Sequence, residues 1–357
     1  MKKKIIDFFK NTTVRLISFL LLALFVLSIF LFFDNYVRQI KKGVSFYWVY
    51  RGDKFYKKDK PQNAIECYQK ALRYYPEHFR ARYNLANIYV VYEDYYSALE
   101  QYAKALEYKP DFMVARIDYA LVLSSATFNH DKAIEQYQKA IDKKPKWIYI
   151  PFIINNKKVY KYNKAIAYYN MGLAWRAKSL LAGEEKFSAR QYLKNATEAY
   201  KKALKTLKSY EVYYNLALAN QLLHNNYESG ANYCKAIELS PLNYEAHYNL
   251  AILLRDMKMY PESMEEFKKA GLILDIEGDS AKTRYIYDVL SEVTQKMAAQ
   301  GDYQYLIDEA KKADEKNSQL TYVGGKLVIT DEYDRSVLKN FKSCSAKNIF
   351  ENHKEEE

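Results

Sequence analysis

Four residues of the stretch NAIECYQKALRYYP return at a fixed interval along this chain. Ala64, Tyr68, Ala71 and Pro76 recur thirty-four residues later as Ala98, Tyr102, Ala105 and Pro110. Ala133, Tyr137, Ala140 and Pro145 follow after thirty-five more. A period of this length marks one supersecondary unit repeated, and it decides the fold before local propensity does. Ala, Tyr and Ala at i, i+4 and i+7 fall on one face of a helix. The alanines let a neighbouring helix approach, and the ring fills the space beside them. Proline cannot continue the helix, so the chain turns into the next unit. One helical pair cannot bury such a face alone, whereas stacked pairs share a continuous core.

The pattern extends in both directions. Trp48, Gly52 and Phe55 stand ahead of Ala64, Leu85, Ala86 and Tyr89 ahead of Ala98, and Ala120 and Leu123 ahead of Ala133. A fourth unit carries Tyr168, Gly172 and Trp175, then Ala196, Tyr200 and Ala203 after about twelve extra residues. The fifth has Tyr213, Leu216, Ala217, Tyr233, Ala236 and Pro241. The sixth has Leu250, Ala251, Phe267 and Ala270, with Asp275 in place of the closing proline. Gly301, Asp302, Tyr303, Ala310 and Ala313 suggest a degenerate or capping seventh.

Over roughly residues 45–315 these positions resemble the tetratricopeptide repeat. The resemblance implies an all-α, right-handed superhelical solenoid of about six to seven helix-turn-helix units across 45–320. It also implies a concave groove lined by the first helix of each pair. The corresponding positions are Val49, Tyr83, Asn87, Ile117, Leu121, Tyr169, Leu173, Tyr214, Leu218, Tyr248 and Ile252. An aromatic and aliphatic floor of this kind suits a peptide or a partner's helix. YNLA, however, recurs at 83–86, 214–217 and 248–251, as ordinary consensus of the repeat. Chaperone-binding members of the family clamp a C-terminal carboxylate with groove lysines and asparagines. Val49, Tyr83, Ile117, Tyr169, Tyr214 and Tyr248 hold the clamp-lysine position here, so that mode is not expected.

Two insertions break the period. Residues 146–164 contain WIYIPFII, which is too short to span a bilayer and includes Pro151. This segment either covers a gap in the stack or docks a partner or membrane surface through Trp147, Tyr149 and Phe152. The second insertion, about 176–195, falls inside the fourth unit. In residues 321–357 the helical pattern stops. TYVGGKLVIT reads as a short hairpin around Gly324 and Gly325, and the polar ending reads as frayed.

The N-terminus has its own logic. A basic tail, 1–15, precedes eighteen residues from Leu16 to Phe33 whose only polar members are Ser18 and Ser28. At about 1.5 Å per residue that run reaches about 27 Å, close to a bilayer's hydrocarbon thickness. Phe32, Phe33 and Asp34 make a poor signal-cleavage site, so an uncleaved single-pass anchor in the cytoplasmic (inner) membrane is expected, with 34–44 as linker. Cations flank the run on both sides almost equally. A short tail with five cations is hard to translocate, while long following domains cross regardless of charge. The expected topology is therefore N-terminus inside and repeats outside, in a periplasmic or other extracytoplasmic space. A cytoplasmic body is the alternative.

The remaining composition mainly excludes. A net charge of +12 arises from 55 basic and 43 acidic residues, interleaved as on solvated helix faces, so no nucleic-acid partner is expected. Cys67, Cys234 and Cys344 lie far apart without a CxxC, which points to neither a disulfide framework nor a zinc site. Cys67 and Cys234 fit as small buried hydrophobes within repeats. Five scattered histidines and no phosphate loop or nucleophile elbow give no catalytic residues, no metal and no cofactor. The expected protein is a membrane-anchored scaffold or adaptor, not an enzyme, that binds partner proteins and helps organise an envelope complex. The lean is towards a flagellar-motor collar or secretion-type machine. An accessory subunit of an envelope glycan polymerase or transferase is the first alternative. A nucleic-acid binder is the second, disfavoured by the interleaved acids and the anchor.

Overall fold

In a computed structural model the described residues are 2–142, 156–183, 185–299, 321–323, 326–328, 341 and 344–352. They form helix after helix, in two compact units, 1–127 and 128–357. The first unit contains α1 (Lys2–Tyr56), α2 (Pro61–Tyr74), α3 (Phe79–Val91), α4 (Tyr95–Tyr108) and α5 (Met113–Ser125). The second contains α6 (His130–Asp142), α7 (Asn156–Leu181), α8 (Lys186–Leu204), α9 (Tyr210–Leu222), α10 (Asn226–Leu239), α11 (Tyr244–Asp256), α12 (Tyr260–Glu277) and α13 (Ser280–Ala299). A two-stranded antiparallel hairpin, β1 (Thr321–Val323) and β2 (Lys326–Val328), pairs Thr321 with Val328 and Val323 with Lys326. A short helix, α14 (Lys347–Asn352), follows.

Within each unit successive helices pack as hairpins: α1 on α2 and α3 on α4, then α7 on α8, α9 on α10 and α11 on α12. The repeated residues explain this packing. The rings of Tyr68, Tyr200, Tyr233 and Phe267 are at most 2% exposed; Tyr233 shares a core cluster with Ala217, and Phe267 with Ala251. A Cβ at Gly52 would lie 2.5 Å from Tyr68 Cε1, and one at Gly172 the same distance from Tyr200 Cε1. Only glycine admits the ring at these two crossings. Burying each such ring contributes roughly 1.5–3 kcal/mol. In the fifth and sixth pairs serine stands where Ala64 and Ala98 stand earlier. Its hydroxyl donates across the hairpin, Ser229 to the Ala217 carbonyl and Ser263 to the Ala251 carbonyl, both at 2.8 Å. Those buried hydroxyls are thereby satisfied.

The turns inside hairpins use a residue in the left-handed region. Asp59, Glu93, His224 and Lys258 have φ between 54° and 64°. Helix starts are held by side-chain caps, with Asp94 Oδ1 accepting from the Ser97 N–H and Asn129 Oδ1 from the Lys132 N–H. Both insertions are partly helical: residues 156–164 and 176–181 lengthen the two ends of α7, which reaches 26 residues, and 186–195 lengthen α8, which reaches 19. Trp147, Tyr149, Phe152, Pro145 and the seventh-unit residues 301–313 lie outside the described residues.

α1 bends by 56° between its segments Val14–Phe30 and Phe32–Tyr56. No single helix among the described residues is long and apolar enough to cross a membrane, but this bent pair qualifies by length and composition. The side chains from Leu16 to Phe33 are nearly all exposed, Phe19 at 74% and Phe30 at 80%. Ser18 and Ser28 donate back to the Val14 and Phe25 carbonyls, so neither hydroxyl needs water. Beyond the bend the helix runs unbroken through 34–44 into the first hairpin. There Arg38 Nη2 donates to both Glu77 carboxylate oxygens, at 2.9 and 2.8 Å.

One expectation is corrected. Cys234 and Cys344 are joined in a disulfide, with Cα atoms 5.2 Å apart. The bond spans 110 residues, and no local cysteine spacing can reveal such a pairing. Cys67 is a buried free thiol.

Candidate protein-binding groove

The groove positions expected from the repeat sit on α1, α3, α5, α7, α9 and α11, and the structure does not treat them alike. Val49 and Ile117 are core residues, 5% and 4% exposed, with Val49 packed in the cluster of Ala64, Ile65 and Tyr68. Tyr83 and Asn87 are half-buried and Leu121 is exposed in the first unit. Tyr169, Leu173, Tyr214, Leu218, Tyr248 and Ile252 are half-buried in the second.

The Tyr-Asn pairs act between neighbouring repeats. Asn215 Nδ2 donates to the Tyr169 hydroxyl at 3.2 Å, and Asn249 Nδ2 to the Tyr214 hydroxyl at 2.8 Å. Each asparagine also donates to the carbonyl one turn back, Glu211 or Glu245. In the first unit the Tyr83 hydroxyl donates to Asp118 Oδ2 at 2.8 Å, and the Tyr102 hydroxyl to Asn87 at 2.5 Å. The Tyr248 hydroxyl faces that of Tyr285 at 3.4 Å. These side chains are thus staples between neighbouring repeats. Burial, then the nearby carboxylate, pushes the Tyr83 phenol up to about 12. Burial, then Glu245, does the same for Tyr214. Tyr248 also rises to about 12, through burial and the Tyr285 hydrogen bond. All three are therefore neutral hydrogen-bonding groups at physiological pH.

The structure brings Tyr214 and Tyr248 together around a cavity of ≈ 330 Å³. Tyr244, Glu245, Asn249, Leu274, Lys282, Tyr285 and Ile286 complete its lining. Lys282 Nζ lies 5.3 Å from the Tyr244 ring centroid and 2.9 Å from Asp279 Oδ2. Such a wall offers apolar ring faces with polar rims, which suits a peptide side chain better than a charged headgroup. Sequence reasoning missed Tyr244, Lys282 and Tyr285. A signal existed for the first: an aromatic stands four residues before three of the four groove tyrosines, at Phe79, Tyr210 and Tyr244, with Ala165 before Tyr169. The Tyr210 and Tyr214 rings stack at 5.5 Å. Among the described residues no group of three or more His, Cys, Asp or Glu side chains is placed to hold a metal.

Profiles of the family described as tetratricopeptide repeat match residues 51–111 and 210–241. The chain carries tetratricopeptide repeats. The matched segments hold the Gly52–Tyr68 crossing and the YNLA pairs of Tyr83 and Tyr214. No curated protein matches the sequence. Among solved structures, PilF of Pseudomonas aeruginosa is similar in fold, with a TM-score of 0.53 and 15% identity over 70% of this chain and 98% of PilF. PilW, a widely conserved type IV pilus biogenesis factor, gives 0.51 and 15% over 69% and 98%. Acl4, an assembly chaperone of RpL4, gives 0.50 and 12% over 71% and 98%. At these identities the likeness is one of fold. Tetratricopeptide-repeat proteins of this kind fit a binding scaffold or adaptor.

Proposed function

We propose that this chain is a membrane-tethered scaffold that holds partner proteins against a cell envelope and so organises a multiprotein assembly there. The observation that carries the reading is the path of α1, which bends by 56° within the apolar run and then leads directly into the first repeat pair. The same helix displays the exposed apolar run Leu16–Phe33 and then supplies Trp48, Gly52 and Phe55 to the first repeat pair. Exposed apolar surface of that extent is costly in water, and a bilayer removes the cost. In this reading Leu16–Phe33 is the single-pass anchor and the Tyr214–Tyr248 cavity receives a peptide or helix of a partner. Confinement to a membrane raises effective concentration, so modest groove affinity suffices. A pilus- or secretion-type machine is the assembly class favoured, with PilW's described role as the parallel in a similar fold.

The test is in-cell photo-crosslinking from Tyr248 of the full-length protein, with carbonate extraction of the same membranes. The expected result is carbonate-resistant protein with a discrete adduct to one partner, lost when Tyr214 and Tyr244 are both changed to alanine. Extraction into the soluble fraction would remove the anchor, and an unchanged adduct pattern in the double variant would remove the groove.

A further inference from the structure

We propose that Phe341 and residues 344–352 belong to a strap seated on α10 and α12 and locked by a disulfide made in an oxidising compartment, so that the second unit works on the non-cytosolic side of the membrane. The side of the membrane rests on the anchor reading above. The bond and its seat rest on geometry alone.

The seat is built from departures from the repeat. α10 carries Tyr227, Gly230, Cys234 and Glu238 three or four residues apart, and so on one face. At the two central positions the other second helices hold Ile65 and Gln69, Leu99 and Ala103, Ile134 and Gln138, Thr197 and Lys201, or Met264 and Lys268. In α10 a glycine and a cysteine replace them together. Phe350 occupies the space the glycine leaves, since a Cβ at 230 would overlap its ring. That ring is 1% exposed and meets Tyr227 edge-on at 6.3 Å. One turn along, Cys234 bonds Cys344. A further turn on, Lys347 Nζ lies 2.8 Å from Glu238 Oε1.

α12 completes the seat. Glu266, with no exposed surface, accepts the Ser345 backbone N–H on Oε1 at 2.9 Å. Phe341, also buried, packs its ring 6.2 Å from that of His247 on the adjoining α11. A chance approach of two cysteines explains neither the sculpted hole at Gly230 nor the buried carboxylate aimed at the strap's backbone. The strap is a designed fit, and its lock is the disulfide.

The chemistry fixes where the lock can close. Two thiols lose two protons and two electrons as the Cys234–Cys344 bond forms. The electrons pass to a protein disulfide donor, whose own disulfide becomes a dithiol. In the cytosol glutathione and thioredoxin hold thiols reduced, whereas secreted and periplasmic compartments keep such bonds. The chain is therefore a substrate for an extracytoplasmic thiol oxidant. Cys67, buried and unbonded, is the internal reference.

The experiment uses the full-length protein in its own cells. Cells are quenched in acid, denatured, and alkylated with N-ethylmaleimide; the protein is then reduced and labelled with a polyethylene-glycol maleimide. The expected result is two labelled cysteines, both lost in Cys234→Ser/Cys344→Ser, and neither labelled when the extracytoplasmic thiol oxidant is removed. Three cysteines alkylated before reduction would overturn the lock. Labelling that persists without the oxidant would overturn the compartment. Gly230→Leu, which fills the seat, is expected to lower the disulfide-bonded fraction several-fold. Phe350→Ala, which empties the seat without crowding it, is expected to speed opening by a dithiol reductant. If neither variant changes the bond, the strap is not a built fit. None of these readouts requires a partner, so loss of the scaffold reading leaves them intact.

Discussion

α4 and α10 are the same element of two repeats, one in each unit, and they diverge on one face only. On the face towards their own first helices they are near copies. Ala98, Tyr102 and Ala105 correspond to Ser229, Tyr233 and Ala236, all buried. Tyr102 donates to Asn87, and Tyr233 to Gln221 at 2.7 Å. On the other face Leu99 is half-buried and Ala103 and Glu107 are exposed, while Gly230 and Cys234 are buried under the C-terminal residues. The repeat thus dictates the residues that close each hairpin and leaves the opposite face free to acquire a private partner. In α10 that partner is the chain's own end.

The largest test of this difference is removal of the bond. Closing a loop of 110 residues stabilises a fold by about 4–5 kcal/mol through the entropy of the unfolded chain. Cys344→Ser is expected to remove most of that from the α10 region and nothing from α4. Urea titration followed by site-resolved hydrogen exchange reads both. Equal loss of protection in both helices would erase the distinction.

Acid sharpens the contrast, because a half-buried carboxylate of the first unit and a buried one of the second are shifted in opposite directions. Burial raises the Asp118 carboxyl above 3.8, only partly opposed by the Tyr83 hydroxyl. Burial also works against Glu266, but His247, Lys269 and the Ser345 N–H outweigh it and hold the carboxyl near 2, below 4.5. A carboxyl whose folded value is depressed stabilises the fold above its unfolded value and stops doing so as pH falls through the folded one. Glu266 therefore contributes on the order of 3 kcal/mol that is lost between about pH 4.5 and 2. Asp118, with its value raised, is relieved by acid. In pH-dependent exchange the strap and α12 are expected to open first, and Glu266→Gln to flatten that dependence. Earlier opening of the first unit would reverse the assignment.

The smallest effect concerns what the two regions share. Asn249→Ala leaves the Tyr214 hydroxyl without its staple, at a cost of about 0.5–1.5 kcal/mol. Tyr83→Phe, which removes the donor to Asp118 in the first unit, is expected to cost a similar amount by urea denaturation. A negligible cost at both sites would mean that these tyrosines serve the groove alone.

Much of the fold is legible in single residues. Gly52 and Gly172 announce ring crossings, Pro61 starts α2, and the Ala-Tyr-Ala spacing marks the second helices. The turns are less so, because Asp59, Glu93, His224 and Lys258 take left-handed conformations that glycine would have signalled. Of the groove, Tyr214 and Tyr248 were readable from YNLA, but Lys282 and Tyr285 come from α13, where the pattern had faded. Val49 and Ile117 match the pattern and yet are buried, since repeat position sets direction and the surrounding side chains set exposure.

The sequence by itself determined the hairpin stack and its interior, because each helix buries the same face against segments a few tens of residues away and so writes a period into the chain. Only the tertiary structure decided that Gly230 is a socket, that Glu266 holds the Ser345 backbone, and that Cys234 meets Cys344. Those contacts join residues roughly eighty to a hundred and twenty apart and occur once each. A contact made once leaves no periodic trace for side-chain spacing to show.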